Sequence, residues 1–468
     1  MKDPLFFLST PRQTGAIVDA SKRVHNFAEV QDQQSPEQRQ QQADRCLDCG
    51  TPYCQWKCPL HNAIPRWLQL ASEGNILAAA ELAHQTNPLP EVCGRVCPQD
   101  RLCESVCTLN DEFGAVTIGQ VERDITDLAL DAGWRPDLSA VPTSAQRVAI
   151  VGAGPAGLGC ADYLIRSGVA VTVYDAEPVI GGLLATGIPG FKLEKPLLLR
   201  RQQVLEDMGV SFVLNTRIGT DLPFQTLLDE YDAVFLGLGA PQPVSAGLPG
   251  ENASGVLKAA DYLYDQNRQL LGDSALRLSQ QGKRVVVVGG GDTAMDCSRT
   301  ALRQGAAEVT LLYRRDRDNM PGSPKEVLFA EQEGLQFAFC HQPLAILQEQ
   351  GQVTGIRVQQ TELGQADASG RRRPEPVPGS EREIAADTVI LALGFKASLP
   401  GWLADAGVMA DEHGRVLAPD GQTLHPKIYA GGDMVLGADL VVTAIAQGRQ
   451  AAEAILRRFA TDSGVTAA

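Results

Sequence analysis

No apolar run in the 468-residue chain approaches the roughly 18–20 residues of a membrane-spanning helix. The opening stretch MKDPLFFLSTPRQ holds an apolar patch too short for the core of a signal peptide, so a cytoplasmic location without a membrane partner is expected. Positive charge is in deficit: 41 Lys and Arg face 56 Asp and Glu, a formal net charge of −15. That argues against the cationic surface needed for nucleic acid or an anionic membrane. A reducing compartment also disfavours structural disulfides. The composition that remains, 44% apolar and 21% charged residues, is that of a soluble globular protein. The length allows two to four domains, each with its own core.

The cysteines are unevenly placed. Eight of the 11 lie in two runs, CLDCGTPYCQWKCP at 46–59 and CGRVCPQDRLCESVC at 93–107, and the others (Cys160, Cys297, Cys340) are scattered. Structural zinc would favour tight CxxC pairs, and only Cys46 and Cys49 form one. The spacing instead resembles that of two-cluster ferredoxins, where three cysteines sit close together and a fourth, followed by proline, ligates the other cluster. Cys46, Cys49 and Cys54 are the close three here, and Cys58-Pro59 is the fourth. The second run contains Cys97-Pro98 and ends at Cys107. Two 4Fe-4S clusters with crossed ligation are therefore expected. Cys46, Cys49, Cys54 and Cys107 would hold one, and Cys58, Cys97 and Cys103 the other. The fourth ligand of the latter is either Cys93, which pattern symmetry alone favours, or a non-cysteine.

Residues 1–145 read as an all-α module that carries these cysteines. SPEQRQQQADRC looks like a helix opening at Ser35 with Pro36 in its first turn. IPRWLQLASEGNILAAAELAHQ at 64–85 has apolar residues at helical spacing. GWRPDLSAVPTSAQ reads as a linker. After it, RVAIVGAGPAGLGCADYLIRSGVAVTVYD (147–175) is strand, glycine turn, helix, strand, and RVVVVGGGDTAMDCSRTALRQGAAEVTLLYRR (284–315) repeats the plan. In the first unit Gly152 permits the tight turn, Gly154 lets a pyrophosphate approach the backbone and Gly157 lets the helix pack on the strand. Asp175 ends the next strand, placed for a ribose hydroxyl. The second unit has Gly289 and Gly291, then Asp292, Thr293 and Ala294. Tyr313 stands where Asp175 stood, followed by Arg314 and Arg315. Loss of the acid and gain of guanidinium groups fits the 2′-phosphate of NADPH, and Arg299 and Arg303 on the intervening helix are expected to add to that field. Cys160 and Cys297 on the two helices read as packing residues, and the polar stretch at 365–383 as an exposed loop or hairpin tip.

Further segments resemble the glutathione-reductase-like superfamily. They are EPVIGGLLATGIPGFKL with Gly182 and Leu183, VFLGLGA with Gly239, VILALGF with Gly394, and IYAGGDMVLGADLVVTAIAQGRQAA. This resemblance implies FAD, with Gly432 and Asp433 at the ribityl chain and the helix start near Thr443 and Ala444 at the pyrimidine end. It also implies an α/β fold of two Rossmann-like domains: FAD-binding residues 146–282 and 386–468, with an NADPH-binding domain, 283–385, inserted between them. QADRCLDCGTPYCQWKCPLHNAIP, LPEVCGRVCPQDRLCESVCTLNDEFGAVTIG, GIPGFKLEK and GGGDTAMDC…YRRDRDNMPGS resemble the small (beta) subunits of bacterial NADPH-dependent glutamate synthases. That implies an oxidoreductase passing electrons from NADPH through FAD and the clusters to a large (alpha) subunit, which converts glutamine and 2-oxoglutarate into two glutamates. No residue is implied as a catalytic acid or base, because the cofactors carry the chemistry. A related subunit delivering to a different acceptor would share these features. The wider family, which includes dihydropyrimidine dehydrogenase, implies a polar fourth ligand to the second cluster, and that position falls on Glu122, with Cys93 as the alternative.

Overall fold

The computed structural model describes residues 3, 5–272, 275–366 and 372–462. The helix expected from Ser35 spans Pro36–Asp44. The Ser35 hydroxyl accepts from the Gln38 N–H at 3.2 Å, and the Gln38 side chain accepts from the Ser35 N–H at 3.1 Å. These reciprocal bonds satisfy N–H groups that a helix start leaves unpaired. The 64–85 stretch folds as two helices, Ile64–Ser72 and Ile76–His84. Gly74 breaks them at φ +79°, a left-handed conformation that favours glycine. Trp67, Leu68, Ala79 and Ala83 on these helices pack against Val121 and Ile125 of the helix Ile118–Asp131.

After the linker the chain builds two parallel five-stranded sheets. The first runs, in spatial order, Ser211–Val213, Ala170–Tyr174, Arg147–Val151, Ala233–Leu236, Ile428–Ala430. The second runs Gln336–Phe339, Glu308–Tyr313, Arg284–Val288, Thr388–Leu391, Val256–Lys258. Central strands such as Ala233–Leu236 and Thr388–Leu391 are buried along their whole length, as expected where helices or a second layer cover both faces. The Gly152 N–H meets the Tyr174 carbonyl at 2.8 Å, and the Gly289 N–H meets the Leu312 carbonyl at 3.0 Å. The two units therefore superpose with Tyr313 in the place of Asp175.

Sheet pairing moves the boundaries expected at 282/283 and 385/386. Val389 pairs with Val286 on one side and Val256 on the other, so 256–258 and 388–391 both belong to the inserted body. The helix Ala259–Leu270 packs Tyr262 and Leu263 into the same core as Val285 and Met295. VILALGF was expected to lead back into the flavin domain, but it does so only after completing the second sheet. An apolar strand run carries no mark of which sheet it will join. The two chain crossings between the bodies, Gln242–Pro243 and Phe395–Lys396, lie side by side as an antiparallel ribbon. A third, antiparallel sheet covers one face of the inserted body, placing Ile346, Val353 and Ile356 against Val286, Leu312 and Val389. The two arms of the polar 365–383 stretch belong to this sheet, with Thr361 opposite Pro376. Residues 367–371 at its tip lie outside the described residues.

Candidate functional site

In the first nucleotide unit each glycine has its own steric reason. Gly152 has φ +105°, and a β-carbon there would sit 2.4 Å from the Gly237 carbonyl oxygen. One at Gly157 would sit 1.9 Å from the Gly152 oxygen, so helix and turn meet only because it is absent. Gly154 is the N-cap of the helix Pro155–Arg166, and a β-carbon there would meet nothing within 4 Å. That open backbone at a helix N-terminus is the surface a pyrophosphate needs. Asp175 turns back on the loop: it accepts from the Ala153 N–H at 2.6 Å and the Glu177 N–H at 2.8 Å. Burial nevertheless pushes its pKa up.

These residues open onto a cavity of about 1170 Å³. Its wall includes Gly152, Gly154, Asp175, Gly182, Leu183, Gly239, Gly432, Asp433 and Ala444 from the flavin-type body. Asp292 and Thr293 of the inserted body and Cys97 and Pro98 of the helical module line the same space. Burial pushes Asp433 up to about 6. Thr443 lies off the wall and donates to the Leu440 carbonyl at 2.7 Å, back into the first turn of its own helix. Gly289, Gly291, Gly394, Arg314 and Arg315 also lie off it.

In the inserted body Gly291 is the N-cap of the helix Asp292–Arg303 and its β-carbon position is open. Asp292 accepts from the Ser323 N–H at 2.9 Å, folding the 320–323 turn over the glycine loop. Arg314 is exposed at the end of Glu308–Tyr313, and the Arg315 guanidinium lies 5.7 Å from the centroid of the Tyr313 ring. Arg299 and Arg303 do not add to this field. Both are buried beneath the helix, where Arg299 pairs with Glu326 and Glu333 and Arg303 with Glu333. Their guanidinium groups lie over Phe191, at 4.4 and 4.0 Å from the ring centroid. The carboxylates cancel the charge that was expected at the phosphate end.

Sequence reasoning missed the ionic wall between the two bodies. Lys192 of the flavin-side segment donates to Asp296 at 3.0 Å, with Glu326 at 3.8 Å, and all three line the cavity. Lys195 is buried and donates to the carbonyls of Leu184, at 3.0 Å, and Ile188. Burial pushes it down to about 7. The only signal was the GFKLEK stretch, which carried a resemblance without a role for either lysine. Cys160 and Cys297 are fully buried on the two motif helices, as read.

The helical module gathers its cysteines into two groups. Cys46, Cys49, Cys54 and Cys107 line one cavity of about 30 Å³, closed on its inner side by Leu68, Val116 and Ile118. Burial, then the neighbouring Cys46 and Cys107, push the Cys54 thiol up to about 12. Cys58, Cys97, Cys103, Cys93 and Glu122 form the second group: Glu122 bears on the Cys58, Cys97 and Cys103 thiols, and Cys93 on Cys58 and, through a hydrogen bond, on Cys97. Burial pushes the Glu122 carboxyl up to about 8 against two amide donors. Among the described residues no three His, Cys, Asp or Glu side chains converge as ligands of a single ion. Four thiols set around a shared space fit a cubane cluster, whose corners stand farther apart than the ligands of one zinc.

Residues 23–134 match the family described as dihydropyrimidine dehydrogenase domain II, 4Fe-4S cluster. Residues 146–448 match pyridine nucleotide-disulphide oxidoreductase. The glutamate synthase [NADPH] small chain of Halomonas elongata is 58% identical, over 96% of this chain and 97% of that one. The chain belongs to the NADPH-dependent glutamate synthase small-chain family. Its Escherichia coli K12 relative of the same description is 56% identical over 93% of this chain and 94% of its own length. FprA of Mycobacterium tuberculosis, solved in complex with NADPH, shares the fold with a TM-score of 0.58 at 19% identity, over 69% of this chain and 87% of that one. This small-chain family member thus joins an iron–sulfur module to an oxidoreductase module. No helix among its described residues is long and apolar enough to cross a membrane.

Proposed function

We propose that this chain oxidises NADPH and feeds the electrons to a large subunit that makes two glutamates from glutamine and 2-oxoglutarate. The observation that carries the reading is the single cavity walled at once by the flavin-type cradle, by Asp292 and Thr293 of the NADPH body, and by Cys97 and Pro98 of the cysteine module. The groups fitting these sites are one FAD, one NADPH and two 4Fe-4S clusters. A flavin accepts a two-electron hydride and clusters take electrons singly, which is the conversion such a subunit supplies. The chain's own residues bind and orient. Gly152, Gly154 and Gly157 seat a pyrophosphate against a helix start, and Asp433 faces the ribityl position. Arg314 and Arg315 select the 2′-phosphate. Cys58, Cys97, Cys103 and Glu122 would hold the cluster that meets the shared cavity, which Cys97 lines, and Cys46, Cys49, Cys54 and Cys107, around a cavity of their own, would hold the other. On the outer side Tyr53 and Trp56 are 59% and 66% exposed.

Anaerobically purified chain should carry one FAD and about eight irons. It should reduce ferricyanide with NADPH and form no glutamate from glutamine and 2-oxoglutarate until a separately purified large subunit is added. Glutamate made by the single chain would refute the division of labour. Ferricyanide activity with no glutamate after reconstitution would point to another acceptor.

A further inference from the structure

Glu122 sits 8% exposed on the helix Ile118–Asp131, in the second cysteine group. One of its oxygens, Oε1, takes two hydrogen bonds, from Asn62 Nδ2 at 2.8 Å and Asn87 Nδ2 at 3.0 Å. Among the described residues Oε2 accepts none. Both asparagines are 2% exposed, and both are held in one orientation by groups that can only donate. The Trp67 indole N–H reaches Asn62 Oδ1 at 3.1 Å, and the Leu89 backbone N–H reaches Asn87 Oδ1 at 3.0 Å. With each carbonyl so engaged, each amide nitrogen must face the carboxylate. Thr86 adds a hydroxyl donor to Asn62 Oδ1 at 3.2 Å. Asn87 has one further partner: Cys93 Sγ donates to its Oδ1 at 3.7 Å.

We propose that Asn62 and Asn87 are positioning residues that select the fourth ligand of the second cluster. They fix Glu122 through Oε1 and leave Oε2 for the metal, while the Asn87 carbonyl engages the Cys93 thiol as a donor and keeps it from ligating. This rests on the reading of Cys58, Cys97, Cys103 and Glu122 as a cluster site. Outer partners that orient a ligand and tune its basicity are a general feature of metal sites. Replacing a carboxylate by a thiolate is a change from a hard to a soft ligand. Asn87 therefore governs both contenders from one amide, donating to the first and accepting from the second.

The test uses the anaerobically prepared full chain with its clusters. The readouts are iron per FAD, electron paramagnetic resonance of the reduced clusters, and the reduction potential of each. Cys93→Ala alone should keep about eight irons. Asn87→Ala should also keep them, leave the first cluster's signal untouched, and shift both the signal and the potential of the second. In the Asn87→Ala, Cys93→Ala double variant about four irons should be lost, because Cys93 is then absent and Glu122 has lost one of the two donors that fix it. Should Asn87→Ala fail to accumulate, Asn87→Asp decides. It keeps the shape and the acceptor for Leu89 but removes the donor to Glu122, and it should move the second cluster's potential alone. A second-cluster signal and potential unchanged in the asparagine variants, with iron retained, overturns the proposal. Loss of about four irons in Cys93→Ala alone overturns the underlying ligand set instead, so the two failures are distinguishable.

Discussion

Arg314 and Arg315 pair with no carboxylate among the described residues, whereas Arg299, Arg303 and Arg317 nearby all do. An unpaired guanidinium at the end of the strand that follows a glycine loop is free to take a phosphate. Losing such a charge-assisted contact costs about 1.5–3 kcal/mol, which is roughly 10- to 100-fold in affinity. In the Arg314→Ala, Arg315→Ala variant the KM for NADPH should rise by about that factor while the KM for NADH stays within about twofold; steady-state kinetics with both nucleotides checks it. An equal effect on both would mean the pair is only a solvated face. Glu333 is the opposite case. Buried completely, it receives Arg23 at 2.8 Å, Arg299 at 2.8 Å and Arg303 at 2.6 Å. Burial alone would raise its pKa, but the guanidinium groups of Arg299 and Arg303 outweigh it and hold the carboxyl at about 2. Because the folded value lies below the unfolded one, the contribution, about 3 kcal/mol, is present above pH 4.5 and is lost as pH falls toward 2. Between pH 5 and pH 3 the melting temperature of the wild type should fall more steeply than that of Glu333→Gln. The variant starts lower, since buried Arg23 and Arg303 lose their carboxylate and Arg299 keeps only Glu326. Parallel falls would assign the acid sensitivity elsewhere.

At the scale of elements, the C-terminal helix Val441–Asp462 crosses Pro155–Arg166 at two glycines. A β-carbon at Gly448 would lie 2.0 Å from the Ala156 oxygen, and one at Gly159 would lie 2.9 Å from the Ile445 oxygen. Gly448→Val forces the pair apart beside Gly154 and Ala444 and should cost about 1–3 kcal/mol or more. Calorimetry should show a lower melting temperature, and absorbance should show less than half the flavin retained. Gly401→Ala, with open space around it, should change neither. Wild-type flavin content in Gly448→Val would show that the crossing has slack. The glycine loops were legible in the sequence because their constraints are local: a turn, a close approach and an open helix start within a few residues. Assigning VILALGF to its sheet was not local, since an apolar strand reads the same on either side of a boundary. Arg299 and Arg303 were legible as arginines on one helix, but not as facing Phe191 and Glu333, which arrive from distant segments. Asn62 and Asn87 left no signal, because the two amides and the carboxylate they grip are far apart in the chain.

Across the whole molecule, the N-terminal segment ties the modules together, although its sequence carries no motif. Arg23 donates to Glu333 and to Gln332 at 2.8 Å, and Lys325 donates to Gln31 at 3.0 Å. Arg101 of the cysteine module donates to the Pro321 and Gly322 carbonyls at 2.8 and 3.0 Å. The inserted body is thus held by the N-terminal segment and the cysteine module as well as by its two-stranded ribbon. Arg23→Ala should leave iron and flavin content unchanged while amide exchange across Pro324–Gln332 speeds up roughly tenfold or more, as a loss of more than about 1.4 kcal/mol of local stability implies. Unchanged exchange there would show that the ribbon alone fixes the body. The ribbon also has a consequence for how the protein is made. The flavin-side sheet takes strands from 147–236 and then waits for Ile428–Ala430, whereas the inserted sheet uses one continuous stretch, 256–391. At synthesis rates of about 5–20 residues per second, the host sheet stands incomplete for roughly 10–40 s, and for about the last 2–8 s of that its guest already has all its strands. On the ribosome the guest can therefore finish before its host, and the flavin cradle, completed by the last helix, is the final site to become able to bind.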